Sequence, residues 1–151
     1  MAKQIEPRSQ RPAWVLDHLR RYQETRGEEG HIWRGVPTLL LTTTGRKSGQ
    51  PTTTPLIYGR HGNTYIVVAS KGGHANHPLW YLNLVATPQV QVQVAADRLP
   101  ARARTASPAE KPGLWQLMTG IWPDYDNYQA RTDREIPVVI LEPVDVDLAG
   151  S

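Results

Sequence analysis

Val90, Val92 and Val94 alternate with Gln91 and Gln93, the cleanest two-residue period in the chain and the mark of a half-buried strand. Thr38–Thr44 (TLLLTTT) is apolar and β-branched, and it also reads as a strand. A turn, Gly45 to Gly49 (GRKSG), separates it from a second strand, Thr52–Tyr58, in which Pro55 implies an edge or a bulge. Arg60, His61, Gly62 and Asn63 give a hairpin-turn signal before a third strand, Thr64–Ser70 (TYIVVAS). Three successive strands joined by tight turns predict an antiparallel meander rather than a βαβ unit. Leu99–Ala106 is a further strand with Arg102 and Arg104 on one face, and Ile136–Pro143 is a last one, apolar on both faces.

Helical spacing appears in three places. Val15, Leu19 and Tyr22 recur along a segment from Pro12 to about Arg26. Pro78–Ala86 is a short helix with Leu79, Leu82 and Ala86 on one side and Trp80 and Leu84 on another. Ser107 and Glu110 form a capping box ahead of Leu114, Trp115, Leu117, Met118 and Ile121, with Pro112 able to shift the start of that helix. Pro123–Arg131 is aromatic and carries no clear period. The expectation is a flexible arm over residues 1–11 and a single domain over 12–151. About six short antiparallel strands with flanking helices (mainly β, α+β) favour a closed or nearly closed small barrel, because closure removes edges.

The absence of cysteine excludes a disulfide framework, a cysteine zinc site, an iron–sulfur centre and a thiol nucleophile. His74 and His77 lie three apart in a loop with no carboxylate at helical metal spacing, so no metal is expected. G-x-S-x-G, Walker and Rossmann fingerprints are missing. No apolar run is long enough for a membrane helix and no leader is recognisable, which points to the cytoplasm. The formal net charge of +3 suits an anionic partner. All the aromatic chemistry rests on 5 Trp and 6 Tyr, since there is no Phe.

Four constellations could carry chemistry. In TTTGRKSGQP two glycines flank Arg46, Lys47 and Ser48, which is either an anion cradle or a solvated basic turn. Ala69, Ser70, Lys71, Gly72 and Gly73 place a hydroxyl and an ammonium at a strand exit. In HPLWYLNL, the neighbours Trp80 and Tyr81 point in different directions, so one can cap a flat ring while the other anchors the core. Tyr125 and Tyr128 share a face on any helical turn, and either line a pocket or pack beside Arg131, Asp133 and Arg134 as those residues pair. Exposed aromatics interleaved with basic residues are absent, so nucleic acid is not an expected partner.

Taken together, TTTGRKSGQP, TPL, VVASKGG, HPLWYLNL and NYQARTDREIPVVILEP, in that order over residues 33–143, resemble the deazaflavin-dependent nitroreductase family of the flavin/deazaflavin oxidoreductases. The resemblance implies a split β-barrel and a reductase using coenzyme F420, an 8-hydroxy-5-deazaflavin with a phosphate and an oligoglutamate tail. It implies that Arg46, Lys47 and Ser48 bind the phosphate with Gln50 nearby, and that Thr54 and Pro55 border the ligand. By the same resemblance Val68, Ala69, Ser70 and Lys71 line the ring, and Leu79, Trp80 and Tyr81 cover part of it. Ser70, Tyr125 and Tyr128 would be the catalytic residues, the two tyrosines by the substrate, Tyr128 also touching the cofactor, and Ser70 positioning the acceptor, a quinone or a nitroaromatic. Thr52, Ile57 and Trp122 depart from residues frequent in the family, and these changes reshape the acceptor pocket. A membrane quinone would fit a basic arm and Trp14 touching lipid. An FMN-dependent split-barrel reductase or oxidase and a non-catalytic deazaflavin carrier are the alternative readings. The oligomeric state is left open.

Overall fold

The computed structural model describes residues 13–144. The arm at residues 1–11 and the polar tail lie outside the described residues. The chain runs α1 (Ala13–Glu24), β1 (Ile32–Trp33), β2 (Val36–Thr44), β3 (Pro51–Ile57), β4 (Gly59–His61), β5 (Thr64–Val68), a 3-10 turn (Lys71–Gly73) and α2 (Leu79–Ala86). It continues through β6 (Gln89–Val94), β7 (Asp97–Thr105), α3 (Lys111–Ile121), α4 (Asp124–Ala130) and β8 (Val138–Pro143). All strand pairings are antiparallel, in the order β1-β2-β6-β7-β8-β5-β4, with β3 on the other edge of β2.

The expected meander is only half present. β2 and β3 form a hairpin, Thr44 opposite Pro51 through Thr38 opposite Ile57. Among the described residues β3 pairs with no second strand, and Pro55, lacking an N–H, sits on it opposite Leu40. The chain bends at Tyr58, and β4 pairs with β5 at the far end of the sheet path. One bent strand thus belongs to both edges and curls the sheet into a split barrel, with β3 against β5 but unpaired to it. The buried Tyr58 holds this corner: its ring meets Tyr65 edge-on at 5.6 Å and its hydroxyl lies 2.9 Å from His31 Nε2. Six long strands therefore emerge if β3 and β4 are counted as one, in line with the sequence pattern.

Side-chain alternation sorts two apolar layers. Leu39, Leu41, Tyr65, Val67, Val90, Val92, Val139 and Leu141 fill the barrel, while Ile66, Val68, Val138 and Ile140 face outward onto Leu114 and Met118 of α3 and Tyr125 of α4. This two-sided burial explains why β5 and β8 read as continuous apolar runs. Gly59 permits the close approach of α3, since a Cβ there would lie 2.8 Å from Met118 Sδ. The capping box is formed, with Glu110 N donating to Ser107 Oγ (3.2 Å) and Ser107 N to Glu110 Oε1 (2.9 Å). The aromatic segment without a clear period becomes α4, entered from Pro123 with Asp124 and Asp126 in its first turn, where carboxylates complement the helix dipole. Among the described residues, no helix is long and apolar enough to cross a membrane.

Candidate active site

Helix α2 links the tip of the β2–β3 hairpin to the loop after β5. At the β2–β3 tip, Gly45 N donates to the Gln50 carbonyl (2.8 Å), Gly49 N to the Gly45 carbonyl (2.8 Å) and Gln50 N to Ser48 Oγ (3.1 Å). The turn is therefore self-braced, and its cations are free of that task. Arg46 and Lys47 are exposed, and among the described residues neither forms an ion pair with a carboxylate. Asn83 of α2 anchors the tip: its Oδ1 accepts from Arg46 N (3.1 Å) and its Nδ2 donates to Thr43 Oγ1 (3.2 Å). Asn83 stood inside HPLWYLNL without a role in the sequence, because its partners are 37 and 40 residues away.

The second piece follows β5. Ala69 closes the barrel interior, whereas Val68 faces the outer layer, so alternation keeps their side chains from lining one ring together. Ser70 is largely buried, but its Oγ makes no hydrogen bond among the described residues and is not sealed from solvent. Lys71 is exposed and carries no ion pair among them. The loop returns to α2 through His77, whose ring lies 4.9 Å from that of Tyr81.

On α2 itself the two neighbouring aromatics divide as the sequence allowed. Trp80 is buried in the barrel cluster, and Tyr81 packs on its edge with its hydroxyl 2.9 Å from Thr105 Oγ1. Leu79 is exposed. Thr54 and Pro55 are partly buried on β3 opposite Leu41 and Leu40.

Tyr125 and Tyr128 share a face of α4, with rings 6.0 Å apart and edge-on. Trp122 Nε1 donates to Tyr128 Oη (3.2 Å), so the departure at position 122 still supplies a polar partner here. Tyr125 Oη has no hydrogen-bond partner among the described residues. Burial, and then the neighbouring Tyr128, raise its pKa above the ordinary phenol value, which keeps it a protonated donor. Gly73 joins this helix to the Ser70 loop: a Cβ there would come within 2.6 Å of the Tyr128 carbonyl oxygen. The pairing expected among Arg131, Asp133 and Arg134 is not made, and Arg134 instead reaches back to the loop after β5. The two hollows lined by Pro108, Lys111 and Trp115 and by Arg60, His61 and Arg104 include none of the predicted site residues.

Residues 14–143 match the family model of the F420H(2)-dependent quinone reductases. The chain belongs to that family. It is 45% identical over 124 residues to an F420H(2)-dependent quinone reductase of Mycobacterium tuberculosis, covering 80% of this chain and 83% of the relative. A solved F420-H2 dependent reductase is 43% identical, covers 74% of this chain and 98% of its own, and superposes with a TM-score of 0.66. A solved domain-swapped dimer is 41% identical, covers 85% of this chain and 97% of its own, and gives a TM-score of 0.68. The resemblance, the split-barrel fold and the deazaflavin cofactor expected from the sequence agree with these relatives.

Proposed function

We propose that this chain reduces a quinone-like or nitroaromatic acceptor with coenzyme F420, and that the hairpin tip, the Ser70 loop and α4 form the active site. The carrying observation is the pair of cations, Arg46 and Lys47, without carboxylate partners among the described residues, on a turn that Asn83 ties to α2. Uncompensated charge on a braced turn fits the phosphate of a deazaflavin cofactor. Ser48, held by Gln50 N, and Gln50 itself complete that grip.

When bound, reduced F420 supplies the hydride. The chain's own residues bind, orient and stabilise. Thr54 and Pro55 border the ligand, and Ala69, Ser70 and Lys71 line it. Leu79 and Tyr81 cover it, with Val68 and Trp80 supporting that wall from the outer layer and the barrel core. As the acceptor takes up a hydride, negative charge develops on its oxygen, and a hydroxyl aimed there stabilises the transition state more than the ground state. Ser70 Oγ, which makes no hydrogen bond among the described residues, and the hydroxyls of Tyr125 and Tyr128 take that role. Ile57 and Trp122 shape the acceptor side. Peripheral contact with a quinone-bearing membrane belongs to the same reading, supported by the exposed Trp14 and Ile32, and liposome flotation without binding would remove it.

The test is a fluorescence titration of the purified protein with F420 and, separately, with FMN, followed by turnover with menadione and a nitroarene. The expected result is saturable F420 binding, weaker FMN binding and menadione-dependent oxidation of the reduced cofactor. Tighter FMN binding would establish the FMN reading, and F420 binding without turnover would make the chain a carrier.

A further inference from the structure

Arg134 stands between two carboxylates in sequence, Asp133 and Glu135, yet pairs with neither. Glu135 pairs with Lys111 instead (3.5 Å). The Arg134 guanidinium is spent on backbone: Nε donates to the His74 carbonyl (2.8 Å), Nη1 to the Ala69 carbonyl (3.2 Å) and Nη2 to the Ser70 carbonyl (2.6 Å). Nη1 also lies 3.0 Å from His77 Nδ1, which must accept, because a guanidinium has no lone pair to offer. One rigid planar fork thus grips both ends of the segment that leaves β5 and returns toward α2.

The gripped segment carries one strained residue, Lys71. Lys71, Gly72 and Gly73 all adopt left-handed φ, at +48°, +62° and +81°, and Lys71 does so with a Cβ. The glycines adopt it freely, whereas Lys71 persists there only where its surroundings over-determine it. Three of the carbonyls flanking or within it, those of Ala69, Ser70 and His74, are accounted for by Arg134, and the Gly72 carbonyl lies 3.5 Å from Arg131 Nη1. The segment follows Ser70, whose hydroxyl has no hydrogen-bond partner among the described residues, and rests on Tyr128 through Gly73.

We propose that Arg134 is a positioning residue for the reaction: together with an unprotonated His77, its guanidinium holds the left-handed Lys71–Gly73 run in place behind Ser70, and so presents Ser70 to the acceptor. This rests on the reading of the site given above. The cradle at Arg46 and Lys47 is anchored separately by Asn83, so Arg134 acts on turnover more than on cofactor affinity. Lysine cannot substitute, since an ammonium offers a point charge without the fork. A proton on His77 would occupy Nδ1 and set two cations 3.0 Å apart. The groups that face His77 are the Arg134 guanidinium and the Tyr81 ring, and no carboxylate among the described residues pairs with it. Burial, and secondarily Arg134, lower its pKa from 6.5, so the neutral ring prevails at neutral pH.

The experiment compares the full-length wild type with Arg134→Ala, Arg134→Lys and His77→Gln, using F420 titrations and menadione turnover. Both Arg134 variants are expected to lose roughly 10- to 100-fold in kcat, the scale of a misplaced catalytic contact, with F420 Kd weakened by a smaller factor because the Asn83-anchored turn is untouched while Ala69, Ser70 and Lys71 border the cofactor. Guanidinium chloride at low concentration should restore part of the Arg134→Ala turnover, while equal sodium chloride should not. The wild-type rate should fall on acidification below the ordinary histidine range, and His77→Gln, which keeps an acceptor but cannot gain the proton, should flatten that limb. Wild-type kcat in folded Arg134→Ala, or its loss without guanidinium rescue, overturns the proposal. Should Arg134→Ala fail to fold, His77→Gln decides, and an unchanged acid limb overturns it. A wild type that binds no F420 sinks the reading of the site instead.

Discussion

Replacing Asn83 by Ala separates the shape of the anion cradle from its charge. The substitution removes both hydrogen bonds that tie α2 to the hairpin. Arg46 is exposed, so water can satisfy its freed N–H at little cost. Thr43 is 1% exposed, and its hydroxyl would lose its Asn83 partner, the only one it has among the described residues, in a place water does not readily reach. Leaving such a group unpaired costs about 1–3 kcal/mol, and the lost net hydrogen bond to Arg46 adds up to about 1. A total of roughly 1–4 kcal/mol lowers Tm by about 2–4 °C for each kcal/mol in a chain of this size. The same loss frees the tip to sample other conformations, so F420 affinity should drop about tenfold, or about 1.4 kcal/mol. Both cations remain, so the dependence of affinity on salt should be that of the wild type. The control, Arg46→Ala with Lys47→Ala, should behave oppositely: weaker binding, a flatter salt dependence and little change in Tm. Differential scanning fluorimetry and F420 titrations at low and high sodium chloride measure all of this. A destabilised Asn83→Ala that binds F420 as tightly as the wild type would refute the claim that α2 sets the cradle.

Tyr128→Phe removes a hydroxyl that accepts from Trp122 Nε1 and is expected to cut menadione turnover about tenfold or more with F420 Kd within about twofold; lost cofactor binding would contradict its assignment to the acceptor side. Gly73→Ala forces a Cβ within 2.6 Å of the Tyr128 carbonyl at a φ of +81°, and urea unfolding should show a loss of about 2–4 kcal/mol. Glu110 is held down to about 2, first by Arg104 and then by the Ser107 N–H, against an ordinary 4.5. Its charged form favours the folded state, so that stability is present above about 4.5 and fades as pH falls toward about 2. Glu110→Gln should therefore flatten the acid limb of Tm against pH in that window, with a small effect at neutral pH because the ion pair is exposed.

Much of the architecture was legible because local pattern and tertiary environment agree. The Val90–Val94 alternation became β6 with its valines buried, and Ser107 and Glu110 cap each other as their spacing required. Glycines at 45 and 49 marked a braced turn with its cations outward. The bend at Tyr58 was not legible, since nothing in the residues 52–58 tells a continuous strand from one that changes sheet edge. Nor were Asn83 and Arg134, whose partners lie 37 to 65 residues away. Trp80 and Tyr81 could be told apart only by which side of α2 the barrel occupied.

By itself the chain determined which stretches are strands and helices, which turn is cationic and, through the order of its motifs, which family it belongs to. These follow from periodicity, backbone preference and residue chemistry, all of which act over a few residues. Only the tertiary structure decided which atoms hold the cradle and the Ser70 loop in place. Those contacts join segments far apart in sequence, and their geometry exists only once the sheet has closed and α2 and α4 have docked on it.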